Sequence, residues 1–150
     1  MRSNLKLSMY FDSAYVAKCY LHEPDSLSVQ LQAARFPTVQ ASELLIAEMA
    51  TIFHRQLRER KARPEQIDRA RELFRADLRA GTWRLHAVSR VILDIVADVI
   101  DHHPSHLLIR ASDAIHLATA RHLGLTEVWT NDRRMLEAAP LSASPAAPCS

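Results

Sequence analysis

The sequence predicts an α/β domain in three layers, with helices on both faces of a mainly parallel central sheet of about four to five short strands. Short apolar runs alternate with longer segments of helical periodicity along the chain, which is the pattern of parallel strands joined by helical crossovers. A short apolar run without alternation is typical of a strand that is buried on both faces. With 150 residues, the chain has the size of one domain that buries its own core.

The first predicted strand is the apolar run Leu7–Phe11, and Asp12 follows it directly. A helix is predicted from Ser13 to Leu21, and a second from Pro24 to about Arg35. Asp12 is therefore expected in a strand-to-helix turn. The next residues, Phe36–Gln40, are interpreted as a short extended link rather than as a strand.

Two long helices are predicted in the middle of the chain. The first runs from Ser42 to about Arg60, with Glu48 at the edge of its apolar stripe. The residues of that stripe recur at spacings of three and four: Leu45, Met49, Ile52 and Phe53. Pro64 is predicted to begin the second helix and Gly81 to end it. These helices are expected to form an arm on one side of the sheet.

A strand and a helix are predicted next. Trp83–Val88 is a candidate strand, and Ser89 is expected to cap the helix that follows it. The apolar side chains of this helix that are predicted to pack inward are Val91, Ile92, Ile95 and Val99. Asp94, Asp98 and Asp101 form a separate stripe that is interpreted as solvated.

The last predicted helix runs from about Ala111 to Leu123 and is closed by Gly124. It is apolar almost all round, which predicts burial on more than one side. A short strand, Glu127–Thr130, follows it. From Pro140 the chain is rich in Ser, Ala and Pro, so the domain is predicted to span residues 1–139 and residues 140–150 to form a disordered tail.

Composition excludes several classes of protein. The net charge is +2, which permits a nucleic-acid partner without arguing for one. The two cysteines form no disulfide framework or zinc spacing, and no apolar run has the length of a membrane span. A cytoplasmic protein without a membrane segment is therefore expected. With only two glycines, the chain has no Walker loop, dinucleotide-binding turn or nucleophile elbow.

Four acidic residues stand at positions that need an explanation. Asp12 and Asp132 each follow a predicted strand, Asp113 lies in the first turn of a helix, and Glu48 borders a buried stripe. Ligands of open α/β sheets bind outside the carboxyl ends of the strands, where these acids are expected to converge. Clustered carboxylates repel one another, and a bound Mg²⁺ or Mn²⁺ ion removes that penalty. Each acid alone is equally well explained as a helix cap or, for Glu48, as the ion-pair partner of Arg55.

Four short motifs stand in a fixed order: Tyr10-Phe11-Asp12-Ser13-Ala14, Ala47-Glu48, the run Ser112–Ala120, and Thr130-Asn131-Asp132. Together they resemble the motif series of PIN-domain proteins, and most of all the VapC-type ribonuclease toxins of bacterial toxin–antitoxin pairs. The resemblance covers about Met9 to Ala139, and its specific part is D-A-I-H-L-A-T-A followed by T-N-D. One departure is that Ala138-Ala139-Pro140 replaces the family's glycine-containing turn, which puts the last edge strand in question.

The resemblance implies an acidic metal site with four members: Asp12, Glu48, Asp113 and Asp132. It also implies Mg²⁺- or Mn²⁺-dependent endoribonuclease activity, homodimerisation, and inhibition by a small antitoxin that covers the site. Ser13, Thr130 and Asn131 would be neighbouring polar groups that orient water, metal or substrate. Arg133 lies beside Asp132 in the sequence and is placed to attract an RNA backbone.

Two other protein classes share part of this pattern. A haloacid-dehalogenase-type phosphatase needs a second Asp two residues after the first, where this chain has Ala14. A receiver domain needs an acidic pair near the first strand, which is not visible. A PIN-like scaffold that binds RNA or protein without catalysis remains the alternative. His116 shares a helix face with Asp113 and is interpreted as a hydrogen-bonded packing residue rather than a general base.

Overall fold

The computed structural model describes residues 9–125, 127–130 and 146–147. The strands in chain order are β1 (Tyr10–Phe11), β2 (Val39–Ser42), β3 (Trp83–His86), β4 (Val128–Trp129) and β5 (Ala146–Ala147). All neighbouring strands pair in parallel, in the order β3-β2-β1-β4-β5. The prediction of a mainly parallel sheet is therefore confirmed.

Helices cover both faces of this sheet. They are α1 (Ser13–Lys18), α2 (Ser26–Ala34), α3 (Leu44–Arg58), α4 (Pro64–Ala80), α5 (Arg90–Asp101) and α6 (Ala111–His122). On one face, Phe11 of β1 and Val39 of β2 pack against α1, α3 and α4 in the largest core cluster. On the other face, Tyr10 packs against Leu117 of α6, and α5 packs on the outside of α6. The predicted three-layer arrangement is confirmed.

The position of β1 determines where a ligand site can form. From β1 the chain moves outward to β2 and β3, and it then returns to place β4 on the other side of β1. This reversal of strand order between β1 and β4 creates a crevice at their carboxyl ends, which is where open α/β sheets bind ligands. Asp12 follows β1 and Thr130 follows β4 at this crevice.

The structure corrects three details of the predicted elements. The link predicted at 36–40 is in part a strand, because β2 lies between β1 and β3. Ser42 ends that strand, and the helix begins at Leu44, whose backbone N–H donates to the Ser42 side chain. Val91 is 53% exposed, and Val96 faces the core instead. Ile92 and Val99 are buried and Ile95 is half-buried, as predicted, so the sequence pattern identified the buried face and misplaced only its edge.

The remaining helix boundaries agree closely with the predicted ones. Ser89 caps α5 by accepting from the backbone N–H of Ile92 at 3.4 Å. Gly81 ends α4 with φ +78°, a left-handed conformation that glycine adopts without steric cost. No helix in the described residues combines the length and the apolar composition that crossing a bilayer requires.

Several predictions concern residues outside the described part of the chain. They include three candidate site residues: Asn131, Asp132 and Arg133. Of the predicted tail, only Ala146–Ala147 is described, and these two residues form β5 beside β4. An edge strand therefore follows β4, although the sequence puts its existence in question. The rest of the predicted tail lies outside the described residues.

Candidate active site

An open cleft of about 400 Å³ lies at the carboxyl end of β1. Its walls come from the start of α1, from α3, and from the start of α6. Eight polar side chains line it: Asp12, Ser13, Glu48, Thr51, Arg55, Arg110, Ser112 and Asp113. The ring of His116 closes the inner end. The cleft therefore combines three carboxylates with two guanidinium groups.

Asp12 is the most buried carboxylate of the cleft, with 4% of its surface exposed. It is the N-cap of α1, where Oδ1 accepts from the backbone N–H of Tyr15 at 2.9 Å. Oδ2 accepts a hydrogen bond from the hydroxyl of Thr130 at the end of β4. These two bonds connect Asp12 to α1 and to the residue that follows β4. Because each carboxylate oxygen has two lone pairs, Asp12 can accept further contacts in addition to these.

Glu48 reaches the cleft from the middle of α3, and its side chain is 28% exposed. Its Oε1 atom accepts from the Ser13 hydroxyl at 2.6 Å and lies 2.6 Å from Nε2 of His116. Burial would raise the pKa of Glu48, but the hydrogen bond and charge of His116 and the hydrogen bond of Ser13 hold it below its usual value. Glu48 is therefore ionised at neutral pH.

His116 is buried on α6 and lies behind Glu48. Its Nδ1 atom is 2.7 Å from the hydroxyl of Tyr10, which is fully buried on β1. Burial raises the pKa of Tyr10 well above its usual value, and the negative charges of Asp12 and Glu48 raise it further. Tyr10 is therefore a neutral phenol that can donate a proton to a hydrogen bond.

The contacts among Ser13, His116 and Glu48 do not form a nucleophile triad. In such a triad the serine and the acid bond to different ring nitrogens of the histidine. Here Ser13, at 3.3 Å, and Glu48, at 2.6 Å, both approach Nε2, while Nδ1 faces Tyr10. A serine-hydrolase mechanism is therefore not supported.

Asp113 lies half-buried in the first turn of α6. Its Oδ2 atom accepts from the backbone N–H of Arg110 at 3.4 Å, as a first-turn acid does at a helix N-terminus. Arg110 and Arg55 are exposed on opposite walls of the cleft. Neither forms an ion pair with any residue that the structure describes.

The donor set of the cleft is compatible with a hard divalent cation, because its ligand atoms are carboxylate and hydroxyl oxygens. Within 9–125 and 127–130, no three acidic, histidine or cysteine side chains are close enough to form a complete metal site. Mg²⁺ commonly takes one or two protein carboxylates and fills its other positions with water. Asp12 and Asp113 would suit such a site, and Asp132 lies outside the described residues.

A second, larger cavity of about 540 Å³ is lined by the segment after α1 and by residues of α2, α3 and α4, among them Cys19 and Leu73. Burial, with the charge of Asp77, raises the pKa of the Cys19 thiol to about 12. The thiol is therefore protonated at neutral pH and is a poor nucleophile. Asp12, Glu48 and Asp113 line the cleft and not this cavity, so the cleft is the candidate active site.

The structure brings together four of the predicted site residues in one cleft: Asp12, Ser13, Glu48 and Asp113. Thr130 joins them through its hydrogen bond to Asp12. Sequence reasoning missed Tyr10, and it did not connect His116 with Glu48. The only available signal was the position of His116, one helical turn after Asp113.

Comparison with known proteins agrees with this architecture. A family model of the PIN domain matches residues 9–140. No curated protein is similar enough to the chain to count as a match. Solved structures do match, at sequence identities that show the fold alone.

One match is to the crystal structure of VapBC2 from Rickettsia felis bound to a DNA fragment from their promoter, with 13% identity, coverage of 95% of this chain and 99% of that chain, and a TM-score of 0.66. Another is to VapC20 of Mycobacterium tuberculosis, described as a sarcin-ricin loop cleaving toxin, with 16% identity, 85% and 92% coverage, and a TM-score of 0.62. A third is to FitAcB of Neisseria gonorrhoeae, with 16% identity, 92% and 95% coverage, and a TM-score of 0.67. Because the family model spans most of the sequence, including β1, α6 and β4, this chain belongs to the PIN domain family.

Proposed function

We propose that this protein is a divalent-metal-dependent endoribonuclease and the toxin of a toxin–antitoxin pair. The observation that carries the proposal is the single cleft that gathers Asp12, Glu48 and Asp113 at the carboxyl end of β1. Membership of the PIN domain family supports a nuclease. The similarity of its fold to VapC20, a toxin that cleaves the sarcin-ricin loop, favours RNA as the substrate.

The proposed metal ligands are Asp12, Asp113 and Asp132, with Glu48 binding directly or through water. When bound, Mg²⁺ or Mn²⁺ would lower the pKa of a water molecule and neutralise charge on the phosphodiester. Asp12 is suited to this role because its orientation is set by Tyr15 and Thr130. In the free protein, Asp12, Glu48 and Asp113 belong to three different structural elements, and the hydrogen bonds from Ser13 and Thr130 offset part of their repulsion.

The polar residues around the acids have separate proposed roles. Ser13 and Thr130 donate to Glu48 and Asp12 respectively, so they orient carboxylates in addition to contacting substrate. Asn131 is proposed to orient water, metal or substrate, as the family resemblance implies, and Arg133 is proposed to attract the RNA backbone through its positive charge. A carboxylate-lined cleft repels a polyanion, and cationic side chains on the rim offset that repulsion.

The proposed partners are a small antitoxin and a second copy of this chain. Structures with this fold include VapBC2 and a toxin–antitoxin complex from Klebsiella pneumoniae, and they support an antitoxin partner. Large apolar side chains such as Leu27 and Leu31 of α2 are more than 60% exposed, and exposed apolar patches commonly mark protein interfaces. The proposed compartment is the cytoplasm, where an RNA substrate would be available.

The test is cleavage of a mixed-sequence RNA pool by the purified protein with Mg²⁺, with Mn²⁺ and with a chelator. Asp12→Asn is the informative variant, because asparagine caps a helix as well as aspartate does but lacks the negative charge. Asp94→Asn, an exposed substitution on α5, is the matched control. We expect metal-dependent cleavage that falls about 100-fold or more in Asp12→Asn and is unchanged in Asp94→Asn.

The same experiment separates the enzyme from a catalytically silent PIN-like scaffold. A scaffold would bind RNA or protein without cutting, and Asp12→Asn would then leave its behaviour unchanged. Equal cleavage by wild-type protein and Asp12→Asn would show a contaminating nuclease and would contradict the proposal. Expression of the wild-type chain, but not of Asp12→Asn, should arrest bacterial growth if the protein is a toxin.

A further inference from the structure

We propose that His116 is a positioning residue: with Tyr10 behind it, it holds the carboxylate of Glu48 so that one oxygen is restrained and the other remains for the cleft. This inference deepens the proposed nuclease function and rests on it. It assigns a role in the site to Tyr10 and His116, two buried residues that are not among the four proposed metal-binding acids. This role does not follow from the fold alone.

The geometry forms a chain of contacts from the core to the cleft. The hydroxyl of Tyr10 lies 2.7 Å from Nδ1 of His116, and Nε2 of the same ring lies 2.6 Å from Oε1 of Glu48. The Ser13 hydroxyl donates to that same Oε1 atom at 2.6 Å. Two donors thus restrain one oxygen, while Oε2 accepts no hydrogen bond from any residue that the structure describes.

The positions of the protons follow from these partners. Glu48 is ionised, so the short contact with Oε1 requires a proton on Nε2 of His116. The hydroxyl of Tyr10 lies 2.7 Å from Nδ1, and a neutral phenol can donate its proton to that nitrogen. A proton on Nε2 accounts for the contact with Glu48, while Tyr10 lies beside the other ring nitrogen.

Burial alone does not require a polar side chain at this position. His116 lies on α6 between Ala114 and Leu117, both fully buried, and an apolar residue there would avoid the cost of burying a polar ring. The hydrogen bond instead reaches α3, in the opposite helical layer. Glutamate has three side-chain torsions whose freedom must be lost before it can bind in one geometry, and His116 restricts them in advance.

Two substitutions of His116 separate positioning from packing. In His116→Gln the side-chain amide can reach the position of Nε2 and donate to Glu48. In His116→Asn it reaches only the position of Nδ1, beside Tyr10, and loses the contact with Glu48. Asn is one methylene group shorter than Gln and leaves a larger void, so the unfolding midpoint of each variant is measured to separate lost packing from lost positioning. His122→Asn, exposed at the end of the same helix, is the control.

The readouts are Mn²⁺ affinity by calorimetry, kcat and KM for RNA cleavage, and the midpoint of thermal unfolding. We expect His116→Asn to weaken Mn²⁺ binding and lower kcat by about 10- to 100-fold, as the loss of a partner behind a metal ligand does, with KM little changed. His116→Gln should recover most of both. Equal losses in the two variants, or wild-type values in His116→Asn, would overturn the positioning role.

A spectroscopic measurement decides the arrangement even if a variant does not fold. The ¹⁵N spectrum of the histidine rings in the wild-type protein should show His116 with its proton on Nε2, and Tyr10→Phe should shift the Nδ1 resonance. A proton on Nδ1 alone would overturn the inference.

If wild-type protein neither binds Mn²⁺ nor cuts RNA, the proposed function is overturned and the positioning role with it. If an active wild type is matched by both variants, only the positioning role is overturned.

Discussion

The Nε2 atom of His116 lies 2.6 Å from the Oε1 atom of Glu48, although 68 positions separate the two residues in the sequence. Glu48 stands on α3 and His116 on α6, which pack on opposite faces of the sheet. The contact therefore passes over the carboxyl end of β1 and joins the two helical layers. This contact holds Glu48 at the edge of the sheet where Asp12 and Asp113 also line the cleft.

Asp113 should contribute to metal binding more than to folding. In Asp113→Asn the amide oxygen can still accept from the backbone N–H of Arg110, so the start of α6 should be preserved. Loss of the negative charge should weaken Mn²⁺ binding at least about 10-fold. Substituting a residue that only hydrogen-bonds to a metal ligand already weakens metal binding by about that factor. Calorimetry and RNA cleavage should show the two losses together. Asp101→Asn, exposed at the end of α5, should change neither, and wild-type cleavage by Asp113→Asn would refute the assignment.

Stability should depend on pH through His86. Burial, and then the charges of Arg84 and His122, lower the pKa of His86 below its usual 6.5. The folded state therefore favours the neutral ring, so this contribution to the free energy of unfolding is complete above pH 6.5 and is lost as the pH falls through the lowered pKa. Urea unfolding at about pH 7.5 and pH 5 should show less pH dependence in His86→Gln than in wild type. His54→Gln, exposed on α3, serves as the control, and an unchanged pH dependence in His86→Gln would contradict this account.

The sequence was sufficient for the fold class and for most helices, because these depend on local signals. Pro64 and Gly81 mark the ends of α4, and Ser89 marks the start of α5. The strand β2 was not recognised because Gln40 and Ser42 make its sequence polar on one face. Gln40 is buried and finds its partner in His86, at 2.5 Å and 46 positions away. A buried polar side chain whose hydrogen-bond partner lies this far away in the sequence leaves no periodic pattern.

The acids of the candidate site could be predicted from the sequence, but the role of His116 could not. Asp12 and Asp113 were identified because they begin helices next to strands or at the sheet edge, which chain order alone reveals. Glu48 was identified from its place beside an apolar stripe. The role of His116 was not, because it depends on the distance between side chains on α3 and α6, which only tertiary packing determines.

Arg55 should bind the RNA backbone at the rim of the cleft. It is exposed on α3, two helical turns after Glu48, and it forms no ion pair within the described chain. In an Asp12→Asn background, which allows binding without cleavage, Arg55→Ala should weaken binding of a single-stranded RNA and lower the dependence of log K on log salt by about 0.7. Fluorescence anisotropy over about 50–200 mM salt measures this slope. Arg79→Ala, exposed on α4 and outside the cleft, should leave the slope unchanged. Each phosphate contact releases its own counterion and so adds to the slope of log K against log salt. Equal slopes for Arg55→Ala and the parent would therefore show that RNA does not contact this wall of the cleft.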